Sequence, residues 1–151
     1  MIEVTRVIEA APDDVMAVLT DGWTYSAWVV GASTIRNVDK GFPAPSTRIH
    51  HSVGAWPLLL HDTTHVLEYE AGRRLRLEAK GWPLGQATVE VTVDPDADGS
   101  LVTMTEDVSQ GPGRLIPEPL RQVAIAPRNR ESLRRLAYLA EGRGRFQSPA
   151  R

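Results

Sequence analysis

At 151 residues and 42% hydrophobic composition, the chain is long enough for one domain whose core needs no covalent staple. It has no cysteine, which excludes a disulfide framework, a thiolate zinc site and thiol catalysis. The net charge of -2 hides a polarity: residues 114–151 carry nine arginines against Glu118, Glu131 and Glu141, whereas residues 1–113 hold eight basic against sixteen acidic side chains.

Residues 2–9 are rich in β-branched side chains and read as a first strand. Pro12, Asp13 and Asp14 then suit the first turn of a short helix, because proline lacks an N–H that would be unpaired there and acids favour the positive end of the helix dipole. Val15, Val18 and Leu19 supply its buried stripe, and Asp21-Gly22 stops it. A second short helix is expected over residues 24–31, with Thr24 as cap, Tyr25, Trp28 and Val29 on one side, and Gly31 at its end. From Ser33 onward the hydrophobic period is two. Strands are expected over residues 35–38, 47–54, 58–70, 74–80, 86–94 and 101–108, separated by loops at 39–45, 55–57, 71–72, 81–85 and 94–100. Six strands joined by short turns imply an antiparallel meander with one face covered.

The last strong signal is a helix over residues 127–142. Leu133, Leu136, Ala137 and Ala140 recur at helical spacing and Asn129 falls on the same stripe, while Arg128, Glu131, Arg134 and Arg135 point away. Pro127 suits its first position, Gly142 its end, and a separate short helix is expected before Pro127. Residues 143–151 are expected to form a flexible tail. The expected fold is therefore α+β in the order β-α-α-β6-α, one domain over residues 1–151, with the sheet wrapped around the last helix.

The basic tail reads as a solvated outer face complementing an acidic body. Nucleic-acid binding would need interleaved aromatics, and residues 114–151 offer only Tyr138 and Phe146. No window approaches the roughly 18 apolar residues of a membrane span, and residues 1–14 lack a basic region followed by an apolar run, so a cytoplasmic location is the default expectation.

The element order, with WVVG at 28–31, HHSVGAWPL at 50–58, GSLVTMTED at 99–107 and RNRESLRRLAYLAEG at 128–142, resembles the polyketide cyclase/dehydrase and lipid transport family of the START-like (SRPBCC) superfamily. The resemblance covers residues 2–142. It implies a helix-grip fold, in which a curved seven-stranded antiparallel sheet grips the C-terminal helix around a cavity that takes a small hydrophobic molecule. Some members of the superfamily are aromatase/cyclases or hydrolases, so the fold does not by itself fix an activity. No cofactor is implied, and homodimerisation is left open.

The candidate site residues come from strand alternation. On residues 47–54 the inward set is Ile49, His51 and Val53; on 101–108 it is Val102, Met104 and Glu106. On 58–70 the set Leu59, His61, Thr63, His65, Leu67 and Tyr69 competes with the opposite phase, which Leu58, Leu60 and Val66 support. With the first phase His51, His61, Thr63, His65 and Glu106 share the cavity, and His51, His65 or Glu106 could move a proton. A zinc pair is disfavoured, since His61 and His65 in a strand lie about 13 Å apart. No G-x-S-x-G elbow is present. Glu106 needs a partner if buried, and Arg128 or Asn129 could supply it. Trp28, Trp56 and Trp82, the last two in W-P-L triplets, are candidates for an apolar wall and gate, with Leu133 as floor. Three functions remain open: a carrier of a hydrophobic ligand, a polyketide cyclase/dehydrase-type enzyme, and a protein-interaction module using the basic helix face.

Overall fold

A computed structural model describes residues 1–53, 57–81 and 85–147. Seven strands, β1 (Ile2–Ile8), β2 (Ala32–Val38), β3 (Arg48–Val53), β4 (Leu60–Glu70), β5 (Arg74–Gly81), β6 (Gly85–Asp96) and β7 (Gly99–Gln110), form one antiparallel sheet in the order β1-β7-β6-β5-β4-β3-β2. The strands from β2 to β7 form the expected meander, and β1 pairs with β7. This is the α+β, helix-grip arrangement.

Two short helices cross between β1 and β2. In α1 (Pro12–Leu19), Pro12 takes the first helical turn, and Val15, Met16, Val18 and Leu19 are buried. Asp21 then accepts a hydrogen bond from the Trp23 amide at 3.1 Å and starts a tight 3-10 turn at Gly22–Thr24. That turn leads into α2 (Tyr25–Trp28), which is one turn long. Gly31, at φ +102°, makes the reversal into β2, a left-handed conformation that a side chain would strain.

The last helix, α3 (Glu118–Gln147), differs from expectation at both ends. One helix runs through Pro127 where two were expected. The proline removes a donor from the helix ladder, but it sits on the solvent side, where water can satisfy the Val123 carbonyl it leaves unpaired. Residues 143–147 are also helical, so Gly142 does not end the helix. Glu141 accepts a hydrogen bond from the Glu9 amide at 3.2 Å, tying the last turns to the end of β1.

Leu133, Leu136, Ala137 and Ala140 are all buried in the core, together with Ile8, Val15, Leu19, Leu75, Val93 and Val102. Each fully buried leucine contributes about 1.5–3 kcal/mol relative to exposure. On the opposite face Arg134 and Arg135 bracket Glu131, and their hydrogen bonds hold its carboxyl down to about 2. That face is a solvated charge array, as its sequence pattern indicates.

Candidate functional site between the sheet and α3

The register across the sheet decides which side chains face α3. His51 lies opposite Asp62 and Ile49 opposite Thr64, so β4 turns its even-numbered residues inward along this stretch. Thr64 and Val66 are buried accordingly. A bulge between Val66 and Glu68 then resets the alternation, and Tyr69 packs against the core after it. The inward assignment of His61, Thr63 and His65 is therefore overturned. These three stand on the outer face, paired across β3 with Ser52, His50 and Arg48. His61 is exposed, and His65 is half-buried. Among the described residues no three His, Asp or Glu side chains converge as metal ligands.

On the inner face, a cavity of about 210 Å³ lies between α2, the sheet and the middle of α3. Its apolar walls come from Trp28, Val53, Ala79, Val89 and Met104; its polar groups are Tyr25, His51, Arg128, Asn129 and Ser132. Of the expected site residues it thus brings together Trp28, His51, Met104 and Asn129. Leu133 is buried in the core and is not part of the cavity wall. Trp56 and Trp82, with the turns that hold them, lie outside the described residues. A larger hollow of about 510 Å³ lies between the start of α1 and the end of α3, but it is an open surface dip lined by Glu9, Asp14, Glu141 and Arg145.

One wall is a buried hydrogen-bonded chain. Thr64 Oγ1 lies 3.2 Å from the Tyr25 hydroxyl and 2.9 Å from His51 Nε2. The Tyr25 ring also packs against His51 at 5.5 Å and edge-on against Trp28 at 5.7 Å between centroids. Thr64 has one hydrogen to donate, so it donates to at most one of these neighbours and accepts from at least one. Burial pushes the Tyr25 phenol pKa up and the His51 imidazole pKa down, keeping both neutral near pH 7. His51 Nδ1 is buried with no hydrogen-bond partner among the described residues.

The second polar group is centred on Glu106, which is only 5% exposed. Arg128 Nη2 donates to both of its carboxylate oxygens, and Asn129 Nδ2 donates to Oε2 at 2.9 Å. Arg128 also donates to the Asn129 side-chain oxygen Oδ1 at 3.4 Å. The partner expected for Glu106 is therefore present twice over. Ser132, one turn further along α3, accepts a hydrogen bond from the Val30 amide at 3.2 Å and ties the helix to the segment after α2.

Residues 1–141 match the family described as polyketide cyclase / dehydrase and lipid transport. The chain belongs to that family. Solved structures agree on the fold: a Rhodobacter sphaeroides protein at 21% identity and a TM-score of 0.71, with 93% of this chain and 91% of that one covered. A Nitrosomonas europaea protein superimposes with a TM-score of 0.72 at 16% identity, covering 94% of both chains. The di-domain ARO/CYC StfQ from the steffimycin biosynthetic pathway aligns at 15% identity and a TM-score of 0.68, covering 93% of this chain and half of that one. A comparison with curated proteins gave no match. Membership of the polyketide cyclase/dehydrase and lipid transport family supports a ligand-binding or cyclase role. No helix among the described residues is long and apolar enough to cross a membrane.

Tyr25, Thr64 and Ser132 belong to the cavity or its wall but were not among the sequence candidates. Tyr25 had a visible signal, because it shares a side of its helix with Trp28. Thr64 had none without the register, whereas Ser132 had one, lying three residues after Asn129 and four before Leu136 on the same helical stripe.

Proposed function

We propose that the protein binds a small, mainly apolar molecule in the 210 Å³ cavity between the sheet and α3. The observation that carries this reading is the lining: Trp28, Val53, Val89 and Met104 offer apolar surface, while His51, Asn129 and Ser132 present polar atoms beside it. A few placed polar groups in an apolar wall orient a ligand without dominating its affinity. The volume falls below the roughly 300–1,000 Å³ of drug-sized pockets, which favours a compact ring system or short acyl chain over a sterol or two-chain lipid.

Binding is favoured over catalysis because the titratable groups are not poised as an acid and base pair. Glu106 has both oxygens engaged by Arg128 and Asn129, and Tyr25 is held neutral by burial. One observation supports a cyclase-type second reading: His51 is neutral near pH 7 and its Nδ1 lacks a partner, which suits a general base. Titration with 2-naphthol and with decanoic acid, read by tryptophan fluorescence in the wild type and in Trp28→Phe, tests the first reading. Saturable quenching that disappears with Trp28→Phe supports binding beside Trp28; no response to either compound, and no small molecule in native mass spectra of the purified protein, overturns it. Cyclisation of a synthetic poly-β-ketone, lost in His51→Gln with the ligand still bound, would favour the second reading instead.

A further inference from the structure

A second, smaller cavity of about 50 Å³ lies on the same inner face, lined by Gly85, Gln86, Ala87, Glu106, Val108, Ile125 and Arg128. Arg128 is the residue common to both chambers. The strand register shows how close they are. Ala79, in the floor of the larger chamber, is the cross-strand partner of Ala87 in the floor of the smaller one. Val89, in the larger chamber, is the partner of Glu106, in the smaller. At the Ala79–Ala87 pair the sheet floor between the two chambers carries only two methyl groups, and at the Val89–Glu106 pair it carries larger side chains. The Arg128 side chain lines both chambers and reaches from α3 to Glu106 on β7.

That side chain is fixed from two directions. Its Nη2 donates to both Glu106 oxygens, and Asn129 Oδ1 accepts from Nε and Nη2. Asn129 is itself 1% exposed and anchored on Glu106. Yet Arg128 remains 42% exposed, so its far side reaches solvent, and the helix backbone that carries it does not depend on the pair. An arginine held in this way is a wall with a removable charge.

We propose that Arg128, latched to Glu106, is the partition that limits ligand length in this protein, and so a specificity-determining residue. This rests on the reading that the larger chamber binds an apolar ligand. A ligand filling that chamber meets the guanidinium at its far end. Removing the partition joins the chambers and admits a longer molecule of the same cross-section. The variant that tests this is Arg128→Ala combined with Glu106→Gln, because Arg128→Ala alone would leave a buried carboxylate with only Asn129 as partner. Glu106→Gln alone keeps the arginine wall while removing the charge.

The probe is a homologous series of n-alkanols from butanol to decanol, with affinities measured by calorimetry. In the wild type and in Glu106→Gln, affinity should rise about fourfold per methylene and then level off at one chain length. In the double variant the same rise should continue past that length, with the shorter alkanols unaffected. An unchanged cut-off, or an equal loss of affinity at every length, overturns the proposal. Should no alkanol bind the wild type, the ligand-binding reading fails, and the partition is read separately from xenon-pressurised crystals. Two xenon sites separated by Arg128 in the wild type, joined by a third at the position of the removed side chain, support it. Xenon bridging the chambers with Arg128 in place, or a collapsed gap in the double variant, overturns it.

Discussion

The two halves of the interface between α3 and the sheet are built on opposite plans. Toward the C-terminal end, Leu133, Leu136, Ala137 and Ala140 are buried among aliphatic side chains of the sheet and of α1, and space is filled. Toward the middle of the helix, Asn129 and Ser132 take the inward positions, and the space beyond them is left open. Both Asn129 and Ser132 are as buried as the leucines. They are spent on hydrogen bonds to Glu106 and Val30, not on packing against β5 and β6. The lesson is that a cavity here follows from short polar side chains being retained at inward positions, each with its partner supplied nearby, while the opposite sheet positions stay small, as at Ala79 and Ala87.

If that contrast is right, the halves should respond differently to substitution. The largest effect belongs to the filled half: Leu136→Ala should cost about 2–5 kcal/mol in denaturant unfolding, the sum of lost transfer energy and a new cavity, while leaving ligand affinity near the wild-type value. Next, Glu106→Ala should cost about 2–3 kcal/mol, because Asn129 loses its acceptor in a buried site while the half-exposed Arg128 can return to water. A cost equal to that of a surface substitution would mean the two halves do not differ in this way. Filling the open half should act in the other direction. Ala79→Leu is expected to leave stability unchanged or raise it by about 0.5–2 kcal/mol in thermal melts, and to remove the fluorescence response to 2-naphthol.

The smallest effect concerns pH. Burial lowers the His51 pKa, so the folded state binds fewer protons than the unfolded chain once pH falls below the ordinary imidazole value of about 6.5. His51 therefore costs no stability above that pH and reduces it progressively below. His51→Gln should flatten this acid limb of the stability curve at a cost near neutral pH of about 1 kcal/mol for the altered bond to Thr64. His50, the next residue, provides the control. It faces the other way, with Nε2 2.8 Å from Asp39 Oδ1, and that contact holds the Asp39 carboxyl below its usual range. Its substitution should let the Asp39 carboxyl return toward its usual range and leave the contribution of His51 in place.

Much of the fold was legible because its signals are local and repeated. Helical spacing marked Leu133, Leu136, Ala137 and Ala140, and alternation marked Ile49, His51, Val102, Met104 and Glu106 as inward; all of these are buried. The partnership of Glu106 with Arg128 and Asn129 was legible too, since a carboxylate in an apolar alternation requires donors and the facing helix offered two. What was lost was lost at β4. Tyr69 favoured one phase and Val66 the other, and both signals were real, because the bulge between Val66 and Glu68 gives the two parts of the strand opposite phases, whereas Leu67 is exposed. His61, Thr63 and His65 fell on the wrong side of that break. Pro127 misled for a related reason: a proline ends a helix unless the carbonyl it abandons can reach water, and only the placement of the helix decides that.

By itself the sequence determined the class of fold, the order of its elements and the apolar stripe that α3 buries, because those depend on periodicity within single segments. Tertiary structure alone decided which face of β4 meets the helix, that Tyr25, Thr64 and His51 form one hydrogen-bonded wall, and that Arg128 lines two chambers. Each of these depends on register between strands or on side chains more than twenty positions apart meeting across a gap, as Glu106 and Arg128 do. No periodicity within a segment encodes the distance between two segments.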